Sequence, residues 1–209
     1  MLLNQIYSLA RPVEASERKL TKYHYIGYEY NRNIKIFNIK NVYKLLNIGV
    51  DIPKNFMEFI SDEKEIILIP NIVNNNVIEL ICRSISKKRF INILDKYPSI
   101  FYNIGQLSNS RHFTDKIIIC EGVADCEYIK KYIYKDVVAC LTDNISSLKL
   151  EILKTLTNHI VLAFDNDKAG QKATANESKK LKRSGFFIET MTPPNGLKDF
   201  GDLIQFDIR

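Results

Sequence analysis

One stretch constrains the fold more than any other part of the chain. Residues 160–164 form a continuous apolar run, and the sequence Asp165-Asn166-Asp167 follows it directly. Such a run is typical of a parallel strand that is covered on both faces. Residues 168–183 then space alanines and a leucine among lysines, which predicts a helix whose start packs closely at Gly170. The pattern therefore predicts a buried strand with two carboxylates at its carboxyl end, where open α/β sheets place their active sites.

Two other roles are open to this pair of aspartates. Aspartates commonly cap helices or remain solvated in loops. The pair could also begin an EF-hand loop, but Ala169 would then stand at the fifth position and Asn176 at the twelfth, and a strand precedes the loop instead of a helix. We discard the EF-hand and keep capping as the alternative. We favour a metal site because a second strand also ends in an acid.

The second half of the chain alternates predicted strands and helices. We expect strands at residues 117–120, 137–141, 160–164 and 186–190, with a helix after each of the first three and Thr142-Asp143-Asn144 as the cap of the second helix. This alternation predicts a mainly parallel sheet with helices on both faces. Carboxylates that follow the strands should then meet at one edge of the sheet. They are Glu121, Asp125, Asp165 and Asp167, with Asp199 and Asp202 as additions from the last loop.

The first half has a different pattern, which predicts a small α+β subdomain. Residues 66–70 and 77–82 are apolar runs around an asparagine-rich linker, so we expect a hairpin that presents Arg83 after its second strand. The tyrosine-rich residues 23–30 are expected to form a strand or the edge of the core, with base stacking as the alternative. Residues 98–111 are expected to form a loop or crossover.

Composition and charge exclude several kinds of protein. The four cysteines include no C-x-x-C pair and the three histidines are scattered, which argues against structural zinc. No apolar run is long enough for a membrane span, and the first residues lack the pattern of a signal peptide. We therefore expect a cytoplasmic protein without a membrane partner, from a bacterium or a phage-infected cell. The net charge of +6 permits a nucleic acid as partner.

Three motifs in the second half resemble the Toprim domain that topoisomerases and primases share. They are Ile117-Ile-Ile-Cys-Glu121-Gly-Val-Ala-Asp125, Val161-Leu-Ala-Phe-Asp165-Asn-Asp167-Lys-Ala-Gly170 and Lys198-Asp199-Phe-Gly-Asp202-Leu. Within that superfamily the chain is most similar to the catalytic core of bacterial and phage DNA primases of the DnaG type. The resemblance implies a Toprim-like domain at residues 113–209, preceded by an α+β subdomain at residues 1–112.

The resemblance also implies roles for the clustered acids. Glu121, Asp165 and Asp167 would be the catalytic acids. The ligands of a Mg²⁺ or Mn²⁺ ion, both of which prefer oxygen donors, would come from the whole cluster. That cluster is Glu121, Asp125, Asp165, Asp167, Asp199 and Asp202.

The implied activity is the synthesis of short primers on single-stranded DNA from nucleoside triphosphates during replication. Arg83 matches the arginine of the family's Gly-Arg stretch, although Cys82 replaces the glycine, and it would hold template or nucleotide together with Lys168. A replicative helicase or a separate zinc-bearing protein would be the partner. A Toprim nuclease that cleaves phosphodiester bonds and a non-catalytic DNA-binding adaptor of the replisome are the alternatives. We do not expect a topoisomerase, because its tyrosine nucleophile needs a large DNA-gate domain for which 209 residues leave no room.

Overall fold

The computed structural model describes residues 2–17, 21–94, 98–109, 113–142 and 144–207. The chain divides into two compact units, Met1–Ser99 and Ile100–Arg209. The predicted domain boundary between residues 112 and 113 adjoins residues that lie outside the described ones, so it stays a prediction. Within the described ranges, no helix combines the length and the apolar character needed to cross a membrane.

The first unit contains a five-stranded antiparallel sheet in which each strand pairs with the next along the chain. The strands are β1 (Arg11–Pro12), β2 (Lys35–Asn38), β3 (Glu65–Val73), β4 (Asn76–Ser84) and β5 (Phe90–Leu94). The helices are α1 (Leu2–Ser8), α2 (Lys22–Tyr25), α3 (Val42–Asn47) and α4 (Lys54–Ile60). Side chains such as Phe37, Phe56 and Leu80 form its core between sheet and helices.

The predicted hairpin is formed by β3 and β4. Leu68 pairs with Cys82, and the chain reverses at Asn74 and Asn75, whose φ angles are 50° and 62°. Asparagine enters this left-handed region more readily than most residues, so the asparagine-rich linker permits a tight two-residue turn. Both strands therefore extend further into the linker than the apolar runs alone indicate.

The tyrosine-rich segment is helical, so it is not the expected strand, but it does lie at the edge of the core, since Tyr25 and Ile26 are buried and residues 28–30 are half-buried. α2 is followed by a π-helix, Ile26–Tyr30, and Thr21 caps α2 by accepting a hydrogen bond from the backbone of His24. Gly27 is packed so tightly that a β-carbon would lie 2.6 Å from Val13 Cγ2. Packing of this kind overrides the strand preference of tyrosine, which reflects burial more than an intrinsic backbone preference.

The second unit is built on a four-stranded parallel sheet. The strands are β6 (Ile117–Cys120), β7 (Val137–Ala139), β8 (His159–Ala163) and β9 (Phe187–Thr190), and they lie side by side in the order β7-β6-β8-β9. The flanking helices are α5 (Ile104–Asn109), α6 (Val123–Tyr132), α7 (Ser147–Lys154), α8 (Lys168–Arg183) and α9 (Ile204–Asp207). All residues of β6 are buried, as expected for a strand covered on both faces. The predicted α/β class, with its mainly parallel sheet after an α+β part, is confirmed.

Three local predictions in this unit are wrong. β7 ends at Ala139 because Leu141 has a φ of 61°, and Ser146 caps α7 by accepting a hydrogen bond from Lys149 N. The expected cap residue Thr142 instead donates its hydroxyl to Asn144 O at 2.8 Å. Asp143 lies outside the described residues. The segment expected to be a loop at residues 98–111 contains α5.

Candidate active site

The pairing of β6 with β8 brings two of the predicted acids together. Cys120 lies opposite Ala163 in parallel register, so the chain leaves both strands at the same edge of the sheet. Glu121 Oε1 accepts a hydrogen bond from Asp165 N at 3.0 Å. Glu121 is therefore fixed against the backbone of the aspartate that ends the neighbouring strand.

A lysine joins the two aspartates of the Asp-x-Asp motif. Lys198 Nζ lies 3.1 Å from Asp165 Oδ2 and 3.2 Å from Asp167 Oδ2. The backbone of Lys198 is held beside them, because its carbonyl accepts a hydrogen bond from Asn166 N at 2.7 Å. Lys198 lies in the third motif, but neither its position there nor the resemblance implies a role for it. The available signal was electrostatic, since two adjacent carboxylates need a counter-charge.

The two aspartates differ in their titration although they share one cation. Burial raises the pKa of Asp165; Lys198 opposes this shift, while the charges of Asp199 and Asp167 add to it. The pKa of Asp167 is lowered, first by the hydrogen bond from Gly170 N and then by Lys198. Both carboxylates raise the pKa of Lys198, so its ammonium keeps its proton at neutral pH.

Asp167 also begins α8. Its Oδ1 accepts a hydrogen bond from Gly170 N at 2.9 Å, which satisfies a backbone donor of the first turn. Gly170 packs so closely against the strand end that a β-carbon would lie 2.1 Å from Asp165 O. Capping therefore accounts for one oxygen of Asp167, while the other oxygen faces Lys198.

Asp125 connects the start of α6 to the end of the chain. Its Oδ2 accepts a hydrogen bond from Gly122 N at 3.2 Å and its Oδ1 accepts one from Gly201 N at 2.8 Å. Gly201 belongs to the 3-10 helix Phe200–Leu203, which Asp199 caps by accepting a hydrogen bond from Asp202 N at 2.7 Å. These bonds hold the third motif at the acidic edge of the sheet. The metal-binding roles of Asp125, Asp199 and Asp202 stay predictions.

A cavity of about 300 Å³ opens beside Glu121 at the start of α8. Thr142, Lys172 and Asn176 line it together with Phe164. Lys168, the first residue of α8, is exposed. An anion near it would meet both its ammonium and the positive end of the helix dipole.

Arg83 lies in the first unit, where two aromatic rings hold its guanidinium. The group lies 4.1 Å from the centre of the Tyr23 ring and 5.3 Å from that of Phe90. Stacking of this kind restricts the orientation of the planar guanidinium. Tyr23, which was considered for base stacking, thus contacts an arginine here. The nucleic-acid roles of Arg83 and Lys168 stay predictions.

The donors at the edge of the sheet fit a hard divalent cation. No three His, Cys, Asp or Glu side chains in the described part of the chain are grouped so that they could hold a metal ion together. Proteins commonly hold Mg²⁺ by only one or two carboxylates, however, with water and substrate phosphates as its other ligands. Asp165 and Asp167 supply such a pair, and the ammonium of Lys198 marks the position on which their oxygens converge.

The sequence is similar to known DNA primases. Residues 115–191 match the Toprim domain. The DNA primase of Clostridium acetobutylicum is 35% identical over 91 residues, which cover 44% of this chain and 15% of that protein. The DNA primase of Staphylococcus epidermidis is 30% identical over 108 residues, covering 52% of this chain and 18% of that protein. The chain thus matches less than a fifth of the length of these relatives.

Solved structures show the same fold over nearly the whole chain. A DnaG catalytic core has a TM-score of 0.67 at 18% identity and matches 99% of this chain and 75% of its own. The RNA polymerase domain of Mycobacterium tuberculosis DnaG has a TM-score of 0.65 at 15% identity, with 99% of this chain and 82% of its own covered. Residues 115–191 therefore resemble the Toprim domain, and the chain has the fold seen in the catalytic core of DnaG-type DNA primases.

Proposed function

We propose that the chain is a primase-type nucleotidyltransferase that joins nucleotides on single-stranded DNA during replication. The observation that carries this proposal is the convergence of Asp165 and Asp167 on one cation position, with Glu121 hydrogen-bonded to the backbone N–H of Asp165. The sequence similarity supports it, because the relatives are named DNA primases.

The chemistry required is the attack of a 3′ hydroxyl oxygen on the α-phosphorus of a nucleoside triphosphate. A new phosphodiester bond forms, pyrophosphate leaves, and the hydroxyl loses its proton. Mg²⁺ or Mn²⁺ would supply positive charge for the phosphates and the developing negative charge. Asp165 and Asp167 would hold this ion, and Glu121 is the candidate acceptor for the proton because the two aspartates face the cation.

The substrates of the proposed reaction carry negative charge that the chain must bind. Arg83 and Lys168 are candidates for contacts with phosphates of template or nucleotide, and such contacts weaken as salt rises. One structural neighbour comprises the zinc-binding and RNA polymerase domains of Aquifex aeolicus primase, and another is a fragment of the bacteriophage T7 primase-helicase protein. We propose that this chain works with a helicase or a zinc-bearing module of that kind, in the cytoplasm of a bacterium or phage-infected cell.

The test is primer synthesis with a matched pair of variants. Protein is incubated with single-stranded DNA, labelled nucleoside triphosphates and Mg²⁺ or Mn²⁺, and the products are separated by size. We expect short new oligomers from the parent chain and none from the Asp165→Asn, Asp167→Asn double variant. Asparagine is also a good N-cap, so the start of α8 should survive the change. The control is Asp115→Asn. It removes a carboxylate just before the amino end of β6, whereas the acid pair lies beyond the carboxyl end of β8.

Three results would contradict the proposal. Synthesis by the double variant would exclude the acid pair as the catalytic site. A shortened template would indicate a Toprim nuclease, which uses water in place of the 3′ hydroxyl. Binding of DNA with neither product under both metals would indicate a non-catalytic adaptor.

A further inference from the structure

The ammonium of Lys198 lies where a divalent cation would have to bind. Its Nζ is at nearly equal distances, 3.1 and 3.2 Å, from one oxygen of Asp165 and one of Asp167. A Mg²⁺ ion bound to the same oxygens would lie about 2.0–2.1 Å from each. Two cations cannot share that space, because they would be almost in contact and would repel each other. The metal and the ammonium therefore exclude each other.

The backbone of Lys198 is fixed, whereas its side chain is accessible. Lys198 O accepts the hydrogen bond from Asn166 N at 2.7 Å, and the next residue, Asp199, caps the 3-10 helix that Gly201 ties to Asp125. The side chain of Lys198 is nevertheless 56% exposed. A lysine has four rotatable bonds beyond its α-carbon, so the ammonium can leave the carboxylates without any change of the backbone.

We infer that Lys198 is an internal counter-ion that the divalent cation displaces when it binds Asp165 and Asp167. This inference rests on the proposed function for the identity of the metal site. Before the metal arrives, the ammonium offsets one negative charge of a carboxylate pair whose members would otherwise repel each other. When the metal binds, one cation replaces another and the ammonium moves into solvent with its proton. The exchange lowers the apparent affinity for the metal, so Lys198 sets the metal concentration at which the site fills.

The first experiment measures metal affinity without any catalytic readout. Mn²⁺ is titrated into the full chain, and free Mn²⁺ is followed by electron paramagnetic resonance. We expect Lys198→Met to bind Mn²⁺ roughly tenfold more tightly than the parent, since it lacks the competing charge. Lys198→Arg retains the charge and should bind with nearly the parent affinity. Lys172→Met is the matched control. Lys172 lines the cavity beside Glu121, so this variant removes a nearby positive charge but leaves the contacts of Lys198 with Asp165 and Asp167 in place.

Several outcomes would overturn the inference. Unchanged or weaker binding by Lys198→Met would show that the ammonium does not compete with the metal. Equal gains in Mn²⁺ affinity for Lys198→Met and Lys172→Met would show that only the net charge of the domain matters. Absence of Mn²⁺ binding by the parent at millimolar Mn²⁺ would show that Asp165 and Asp167 do not form a metal site.

A second measurement follows Lys198 directly in the folded parent protein. The protein is labelled with isotopes in its lysines and studied by nuclear magnetic resonance during a Mg²⁺ titration. The signal of the methylene group next to the Lys198 ammonium should shift, and the midpoint of this shift should equal the midpoint of metal binding. The Lys172 signal should shift far less, and a static Lys198 signal would contradict displacement. If the metal displaces Lys198 but no primer is made, the inference about Lys198 holds and only the proposed activity is refuted. Failure of the inference and failure of the proposed function can therefore be distinguished.

Discussion

Gly170 lies so close to the backbone of Asp165 that any side chain at this position would push the acid pair out of place. A β-carbon at this position would lie 2.1 Å from the backbone oxygen of Asp165, and backbone atoms cannot yield as a flexible side chain can. At Gly122, which precedes α6, a β-carbon would meet only Asp125 Oδ2 at 3.0 Å. The two glycines therefore occupy similar places in the fold under different steric demands.

We predict that Gly170→Ala destabilises the protein by about 1–3 kcal/mol, the usual cost of overpacking. Gly122→Ala is the matched control and should cost less, because the carboxylate of Asp125 can move by a few tenths of an ångström. The free energy of unfolding is measured by urea denaturation of the full chain. A loss at Gly122 as large as that at Gly170 would contradict the steric argument.

At the scale of secondary-structure elements, Asp125 joins two segments that are far apart in sequence. One oxygen binds the start of α6 and the other binds the 3-10 helix Phe200–Leu203. The carboxylate is buried, so both backbone donors depend on it. This arrangement suggests a connecting role for Asp125, in addition to the metal role that the resemblance predicts.

We predict that Asp125→Asn lowers the free energy of unfolding by about 1–3 kcal/mol, because an amide places a donor against a backbone N–H and leaves a buried group unpaired. Asp202→Asn, on the same 3-10 helix, should change stability far less, since Asp202 is only half-buried. Urea denaturation and Mn²⁺ titration of both variants separate the two roles. Full stability of Asp125→Asn with weakened Mn²⁺ binding would favour the metal role.

At the scale of the whole molecule, the second unit begins before the Toprim match does. Tyr102 exchanges backbone hydrogen bonds with Ala139, at 2.9 and 3.2 Å, and so extends the edge of the parallel sheet. Its hydroxyl also donates to Glu127 Oε1 at 2.6 Å, and the side chain of Glu127 is completely buried. Residues just after position 99 are thus part of the packing of this unit.

We predict that a fragment of residues 100–209 folds by itself and that a fragment of residues 113–209 is less stable. The shorter fragment loses the Tyr102 hydroxyl, which leaves an oxygen of a buried carboxylate without that donor. Its melting temperature should be lower by at least about 5 °C. The variant Tyr102→Phe in the longer fragment isolates the contribution of the hydroxyl. Equal melting temperatures would support a domain boundary at residues 112 and 113.

Much of the second unit was predictable because its signals are local. The bounds of β6 and α8 agree with the sequence prediction, since an apolar run, a capping aspartate and a series of good helix formers act within a few residues. The tyrosine-rich segment and the start of α7 were not predictable in this way. The packing of Gly27 against Val13 decides the first, and the cap that Ser146 gives the backbone of Lys149 decides the second.

The sequence by itself determined that acids follow two strands of a parallel sheet, and therefore that Glu121 and Asp165 lie at one edge of it. This inference needs only the rule that parallel strands end on the same side. Only the tertiary structure decided which charge faces them. Lys198 reaches the aspartates because its loop folds back and bonds to Asn166. Such pairing depends on the path of the chain between distant residues, which no local pattern of side chains encodes.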